Sequence, residues 1–391
     1  MNWWHIFKRE IRHMFITDRR RAIFLFGASL AYLILFSLLY GTHTVKAVPL
    51  VIYDEDQTQY SRSLIQAFDD SERFQIVDYV TTQDDMENAL HEKEAYAAVH
   101  IPKKFAQEAK SGRSSTVLLI ADGANIIITN TATTAAQEII ATFAKETGAL
   151  LTEINTGQLP SIALDKISPV DFRLRVLNNP TQSYLSFFVL GLSMAAFQQG
   201  VFLAIGASML SESQNPDELK NAHLLSIMTG KLLPYWISAT LAFFITVIVA
   251  IHLFEIPGKA SMTSLLLLSV TFIFAAIGFS AFIASICNTE LTFTRISIAY
   301  TVPAFVLSGY TWPLEAMDTV GKILSYTFPL SYFSNTVREL MIAGYSPVLY
   351  RNSLLLLLMG TAFIGIATVC YSRKIKQFHG KPCHSVQQQL L

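Results

Sequence analysis

Six long stretches without a charged side chain constrain this chain before anything else does. Ala22–Gly41, Ser183–Leu210, Leu232–Ile251, Met262–Cys287 and Asn352–Ser372 each reach the length of about 20 apolar residues that a helix needs to cross a bilayer. Ile296–Leu314 is the sixth and the least regular. A backbone in hydrocarbon finds no water to bond, so stretches of this kind have to be helices. The expected fold is therefore an integral membrane all-α bundle of six transmembrane helices, with whatever lies between them added to it. Composition agrees: 15% of residues are charged, against about 25% in an ordinary soluble chain. The 29 basic and 29 acidic residues cancel, which argues against nucleic acid as a partner. Cys287, Cys370 and Cys383 are too few and too scattered for a disulfide framework or a zinc site, and are expected to be inert thiols.

Basic residues in short flanks set orientation. Residues 1–21 hold Lys8, Arg9, Arg12, Arg19, Arg20 and Arg21, and the tail holds Arg373, Lys374, Lys376 and Lys381. With both termini inside, Lys220, Lys231 and Arg295 join them, while the short outer loops keep Lys259, Lys322, Arg338 and Arg351. The expected order is a cytoplasmic amphipathic helix (1–21), spans at 22–41, 183–210, 232–251, 262–287, 296–314 and 352–372, an inner loop (211–231), an outer segment (315–351) and a cytoplasmic tail (373–391). The first span reads as an uncleaved anchor, because its apolar run is too long for a secretory signal and "VKA" is a poor cleavage site.

Residues 42–182 are different in kind and fall outside. They carry 12 basic and 19 acidic residues. "VPLVIY", "RFQIVDYV", "AYAAVHI" and "STVLLIA" read as strands. Helices are expected over Ser61–Phe68, from Thr82 and Asp85 to Leu90, around Phe105–Ala109, and from Ile126 to Ile154. Alternating strands and helices predict an inserted extracytoplasmic α/β domain. "DED" at 54–56 lacks the glycine that an EF-hand loop needs at its sixth position, where Gln59 stands, and a solvated turn is the plainer account. "HEKEA" at 91–95 has Ala95 where a zinc-protease helix needs its second histidine, so no metal site is expected.

The helix centres carry no ionisable residue, which disfavours a proton relay or a charged pore. Gln198, Gln199, Tyr300, Ser193 and Thr240 sit there instead, either as hydrogen bonds between helices or as the lining of a path. No Gly-Lys pair is followed by Ser or Thr, so there is no phosphate-binding loop. No inner segment exceeds about 21 residues, which leaves no room for an ATPase domain. The chain is expected not to be an enzyme, to bind no cofactor of its own and to draw energy from a partner.

Several motifs together resemble one family. They are "FKRE" (7–10), "VIYDEDQTQYSRSL" (51–64), "VHIPKKF" (99–105), "ADGAN" (121–125), "TGKLLPY" (229–235) and "SGYTWPLEAM" with "FPLSYFSNTVRELMIAG" (308–344). The chain is similar to permease subunits of type-2 ATP-binding-cassette (ABC) transporters, in the branch with a large outer domain after the first span. The resemblance implies an exporter in a bacterial inner membrane, with ATP and Mg bound on separate cytoplasmic ABC ATPase subunits. It also implies a second permease subunit, identical or paralogous, in contact with membrane lipid, and leaves room for a periplasmic adaptor. Glu212, Asp217, Glu218 and Lys220 would meet the ATPase in the 211–231 loop, although "SESQNPDELKNAH" departs from the family pattern there. Gln198, Gln199 and Tyr300 would line the path between second and fifth spans. Pro313 would end the fifth helix, Glu315 would follow at headgroup level, and Pro329 would belong to a re-entrant outer gate, an ordinary amphipathic loop being the alternative. Trp3, Trp4, Phe7, Ile11, Met14 and Phe15 recur at helical spacing opposite Lys8, Arg9 and Arg12, as in an interfacial helix beside the ATPase or a plain topology signal. The uncharged bundle suits a hydrophobic or lipid-linked cargo, drugs included. A receptor whose outer domain binds a ligand is the rival, weakened by the missing cytoplasmic output domain.

Overall fold

The structure is a computed structural model that describes residues 3–41, 45–111, 115–156, 177–179, 183–213 and 223–379. It divides into two compact units, one of residues 1–43 and 176–391, the other of 44–175.

The second unit is the inserted α/β domain. β1 (Val48–Asp54), α3 (Gln59–Asp69), β2 (Phe74–Val80), α4 (Gln83–His91), β3 (Ala97–Ile101), α5 (Phe105–Lys110), β4 (Leu118–Ala121) and α6 (Ile126–Thr156) follow in order. The sheet runs β2-β1-β3-β4, with β1 parallel to both neighbours and β4 antiparallel at one edge. Central β1 buries Leu50 and Ile52, and α3 and α6 close the core with Phe68, Ala132 and Ala136. Thr82 caps α4 by accepting the Asp85 amide at 3.1 Å, but the Asp85 carboxylate accepts from the Thr82 hydroxyl at 2.6 Å, so the reciprocal half of a capping box does not form. The acidic turn at 54–56 is not merely solvated. Asp54 accepts the amides of Asp56 and Gln57 and the Ser61 hydroxyl, and Asp56 accepts the Thr58 hydroxyl and the Ala106 amide that opens α5. These oxygens are spent on holding the turn.

The first unit is helical. After α1 (Trp3–Arg12) and a π-turn (His13–Thr17), the chain forms α2 (Arg20–Leu39), which has a π-bulge at Ile23–Gly27. The bundle continues with a π-turn (Leu185–Val189) leading into α7 (Leu190–Ser213), then α8 (Leu224–Phe254), α9 (Met262–Ile286) and α10 (Glu290–Val306). Short α11 (Thr319–Ser325) and α12 (Pro329–Ala343) precede the long α13 (Leu349–His379). Five of these helices are long and apolar enough to cross a membrane among the described residues: α2, α7, α8, α9 and α13.

Two expectations change. The inner loop expected over 211–231 is helical at both ends: α7 runs to Ser213 and α8 starts at Leu224. The fifth stretch is helical over Glu290–Val306, starting six residues earlier and stopping eight earlier than the expected 296–314. At 1.5 Å per residue its 17 residues reach about 26 Å. Pro313 therefore does not end it. The helix stops because Leu307 takes a non-helical conformation and Gly309 turns the chain at φ +81°. The carbonyls freed in that turn find side-chain donors: Thr311 bonds Val306, Asn335 bonds Ser308 and Arg338 bonds Tyr310. Pro313 is exposed and merely precedes the one-turn 3₁₀ helix Leu314–Ala316. Pro313→Leu is consequently expected to change stability by less than about 0.5 kcal/mol, as an exposed loop substitution. ATP-driven efflux from vesicles should stay within about twofold of the parent.

Candidate functional site

α1 packs on the bundle through Ile6, Glu10 and Met14, one residue per turn of the chain's first seventeen residues. Of the apolar face expected for this segment, only Met14 is fully buried; Trp4 (54% exposed), Ile11 and Phe15 lie open on another side. Apolar side chains thus cover two sides, and the inward one carries a carboxylate.

Glu10 is 2% exposed and sits at the centre of a polar cluster. Lys231 Nζ lies 3.1 Å from its Oε1 and Arg21 Nη1 3.5 Å from its Oε2. The Ser208 hydroxyl donates to Oε2 at 3.0 Å, and the Tyr235 hydroxyl stands 3.3 Å from the same oxygen. Arg21 also donates to Tyr235 at 3.1 Å, to Ser211 at 2.9 Å and to Asp18 at 3.2 Å. Lys231 gives a further bond to the Ser208 carbonyl at 3.1 Å. Helical spacing explains the convergence: Lys231 and Tyr235 are one turn apart on α8, and Ser208 and Ser211 one turn apart on α7. Burial works against the Glu10 charge, but Lys231 and Arg21 outweigh it and hold the carboxyl below its usual range. Hydrogen bonds from Arg20, then from Arg21, likewise keep the Asp18 carboxyl low against its partial burial. Arg9 adds a third cation 3.8 Å from Glu10, so ion pairs and hydrogen bonds centred on Glu10 and Asp18 join α1, α2, α7 and α8.

Of these residues the sequence singles out Arg20, Arg21 and Lys231 alone, and only as charges flanking a span. A signal was there. Glu10 closes "FKRE" and Lys231 and Tyr235 lie in "TGKLLPY", two of the motifs that carried the resemblance. Of the residues expected to meet an ATPase, Asp217, Glu218 and Lys220 lie outside the described residues, as does the Glu212 side chain. The cluster sits on the two helices that bracket that segment.

The opposite end of α7 holds a second constellation, about 25 Å away along the helix axis by residue count. Tyr310 is buried there. Its hydroxyl donates to the Phe187 carbonyl at 2.5 Å and accepts the Gly191 amide at 3.1 Å. A Cβ at Gly191 would come within 2.3 Å of the Tyr310 ring, so that position has room only for glycine. Arg338 of α12 lies over the Tyr310 and Phe187 rings, 4.5 and 4.6 Å from their centroids. It donates to the Tyr310 carbonyl at 3.3 Å and to Asn335 at 2.9 Å.

Between these ends, α7 and α10 meet along a seam. Gln199 is a strut in it: its amide donates to Ser297 at 3.0 Å and accepts from Thr301 at 2.6 Å. Gly206 lets the Phe293 ring approach to where a Cβ would stand 2.2 Å away. Gln198 is 1% exposed, and neither end of its amide has a hydrogen-bond partner among the described residues; the Tyr300 hydroxyl is in the same position. Such groups are rare in a closed interior, and each calls for an explanation. Tyr300 itself packs among Phe202, Phe279 and Phe328. Glu315 is exposed, and its carbonyl accepts from Lys322. Pro329 is buried at the start of α12, beside Phe333, which stacks on Phe272 at 3.9 Å.

Residues 20–369 match the sequence profile described as ABC-2 family transporter protein. The chain is 25% identical over 377 residues to the probable multidrug ABC transporter permease YbhR of Escherichia coli K12, covering 95% of this chain and 98% of that protein. It is 27% identical over 151 residues to the probable multidrug ABC transporter permease YbhS of the same organism, covering 38% and 40%. The inner membrane transport permease YhhJ, also of E. coli K12, is 21% identical over 388 residues, covering 94% and 99%.

Proposed function

Since the chain belongs to the ABC-2 family of transporter proteins, we propose that it is the permease of an exporter that moves hydrophobic or lipid-linked molecules, drugs among them, outward across a bacterial inner membrane. A permease of this kind has no ATPase domain of its own. ATP and Mg belong on separate ATPase subunits, which sit on the side of the chain termini. The second permease is a paralogue: similarity to both YbhR and YbhS, two permeases of one organism, supports a pair of unlike subunits. The word "multidrug" in both names supports the cargo class.

One observation carries the mechanism. The buried cluster ties α1 to α7, whose last turn holds Glu212, and to α8, and these two helices flank the segment where Asp217 and Glu218 lie. ATPase closure pushes on that segment. Because Glu10, Arg21 and Lys231 link four helix ends into one body, the push moves α1, α2, α7 and α8 together rather than bending a loop. The tilt opens the α7–α10 seam, where Gln198 and Tyr300 gain partners from the passing cargo.

The test is a chain in which Glu212, Asp217 and Glu218 are all replaced by Lys. It should insert in the membrane as the parent does, lose co-purification of the ATPase, and lose at least about 90% of ATP-driven efflux of a hydrophobic dye from vesicles. Full co-purification with full efflux would refute the assignment of that segment.

A further inference from the structure

Tyr310 does more than fill space. In a regular helix the Phe187 carbonyl would accept the Gly191 amide four residues on. Here the Tyr310 hydroxyl stands between them, bonding both, at the point where the chain makes the π-turn Leu185–Val189. A side chain inserted into the i to i+4 ladder is a recognised cause of such a distortion. Arg338 covers the same ring, stacks on Phe187 and grips the Tyr310 carbonyl. No carboxylate pairs with Arg338 among the described residues, whereas Arg9, Arg21 and Lys231 all pair with Glu10. One joint is fastened by ion pairs; the other is a cation on aromatic faces, over a hydroxyl that bonds both the Phe187 carbonyl and the Gly191 amide.

We propose that Tyr310 and Arg338 form a releasable clasp that closes the outer end of the α7–α10 seam, a role resting on the exporter reading above. In the closed state Tyr310 wedges α7 open at the π-turn. On release, Tyr310 withdraws, the Phe187 carbonyl takes back the Gly191 amide, and the first turn of α7 anneals to α-helix. The two backbone arrangements give the gate two discrete positions instead of a continuous range. Arg338 acts as a positioning residue: its planar guanidinium sets the ring, which an ammonium cannot do in the same way.

The test uses the full chain with its ATPase in proteoliposomes, after replacement of Cys287, Cys370 and Cys383 by Ser. Ala304→Cys is the reporter, because Ala304 is fully buried on the α10 face that carries Ser297 and Thr301. Ser63→Cys, exposed in the α/β domain, reports sidedness. Without nucleotide, an impermeant maleimide should label Ser63→Cys from outside and leave Ala304→Cys unreacted. Tyr310→Phe, Arg338→Gln and Arg338→Lys should each raise Ala304→Cys labelling at least about tenfold, with the complex still eluting as one species. Glu339→Gln, the neighbouring residue on α12, should not. If Ala304→Cys stays unreactive in Tyr310→Phe and Arg338→Gln while Ser63→Cys labels, the clasp is refuted and the exporter reading stands. If Ser63→Cys labels only after permeabilisation, the orientation itself is wrong and the clasp falls with it. Labelling in Arg338→Gln but not in Arg338→Lys would remove the planar-stacking part, leaving charge alone as the holding force.

Discussion

Lys231→Ala is expected to destabilise the protein by about 3–5 kcal/mol and to abolish export. Breaking a buried ion pair by removing one partner leaves the other charge uncompensated, which accounts for that magnitude. Glu10 would keep Arg21 at 3.5 Å but lose its closest cation, and the Ser208 carbonyl would lose a donor as well. Glu10→Gln combined with Lys231→Met removes both charges at nearly constant volume. It should recover most of the stability, since well-packed neutral replacements of buried pairs are often tolerated. Denaturant unfolding of the purified complex and efflux from vesicles are then read together. Restored stability without restored efflux assigns the pair to coupling. Restoration of both makes it a structural rivet. A Lys231→Ala protein within about 1 kcal/mol of the parent would show that the cluster is not buried as described.

How far the sequence alone reached depends on the kind of signal. Long uncharged runs betray helices irrespective of their neighbours, and short, nearly continuous apolar runs did the same for the buried strands β1 and β3. That part of the fold was legible. The fifth helix was not, because Leu307–Leu314 carries no charge whether or not the backbone is helical. The stop is set by Gly309 and by donors from α12, some 25 residues further on. The buried cluster was illegible for a related reason. Charge near a span end normally marks an aqueous flank, so Lys231 counts in the sequence as one more inner-side base, when α1 supplies Glu10 to bury it. The motifs nevertheless pointed to the right places: "FKRE" meets "TGKLLPY" at Glu10 and Lys231, and "SGYTWPLEAM" meets the "FPLSYFSNTVRELMIAG" stretch at Tyr310 and Arg338. In the α/β domain, "VIYDEDQTQYSRSL" meets "VHIPKKF" where Glu55 lies 3.2 Å from His100. Sequence singled out the pieces, and only packing could say which piece touched which.

Gly200→Ala should be among the most damaging of the small substitutions in the bundle. A Cβ at Gly200 would lie 2.3 Å from the Phe24 carbonyl oxygen, which is backbone. At Gly206 the clash is with the Phe293 ring, and a ring can swing aside. Phe24 cannot: its carbonyl already accepts the Ala28 amide in the π-bulge of α2, so relief requires the whole helix to back away from α7. Overpacking of this sort costs about 1–3 kcal/mol where side chains can adjust, and occasionally more. With only backbone to move, the upper end of that range is expected. Retreat of α2 would also pull Ser29 from Thr246, now 2.8 Å apart, and would draw Arg21 away from Ser211 and Glu10, because Arg21 lies one turn before Phe24 on the same helix. The close approach at Gly200 is thus what delivers Arg21 to the cluster. Gly200→Ala should lower the unfolding midpoint by several degrees and reduce efflux at least about tenfold, and Gly206→Ala should do less. Gly365→Ala, whose Cβ would meet nothing within 4 Å, should do neither and gain slightly in helix propensity. An unfolding midpoint for Gly200→Ala equal to that of Gly365→Ala would show that α2 and α7 do not pack this closely, and the route by which Arg21 enters the cluster would have to be redrawn.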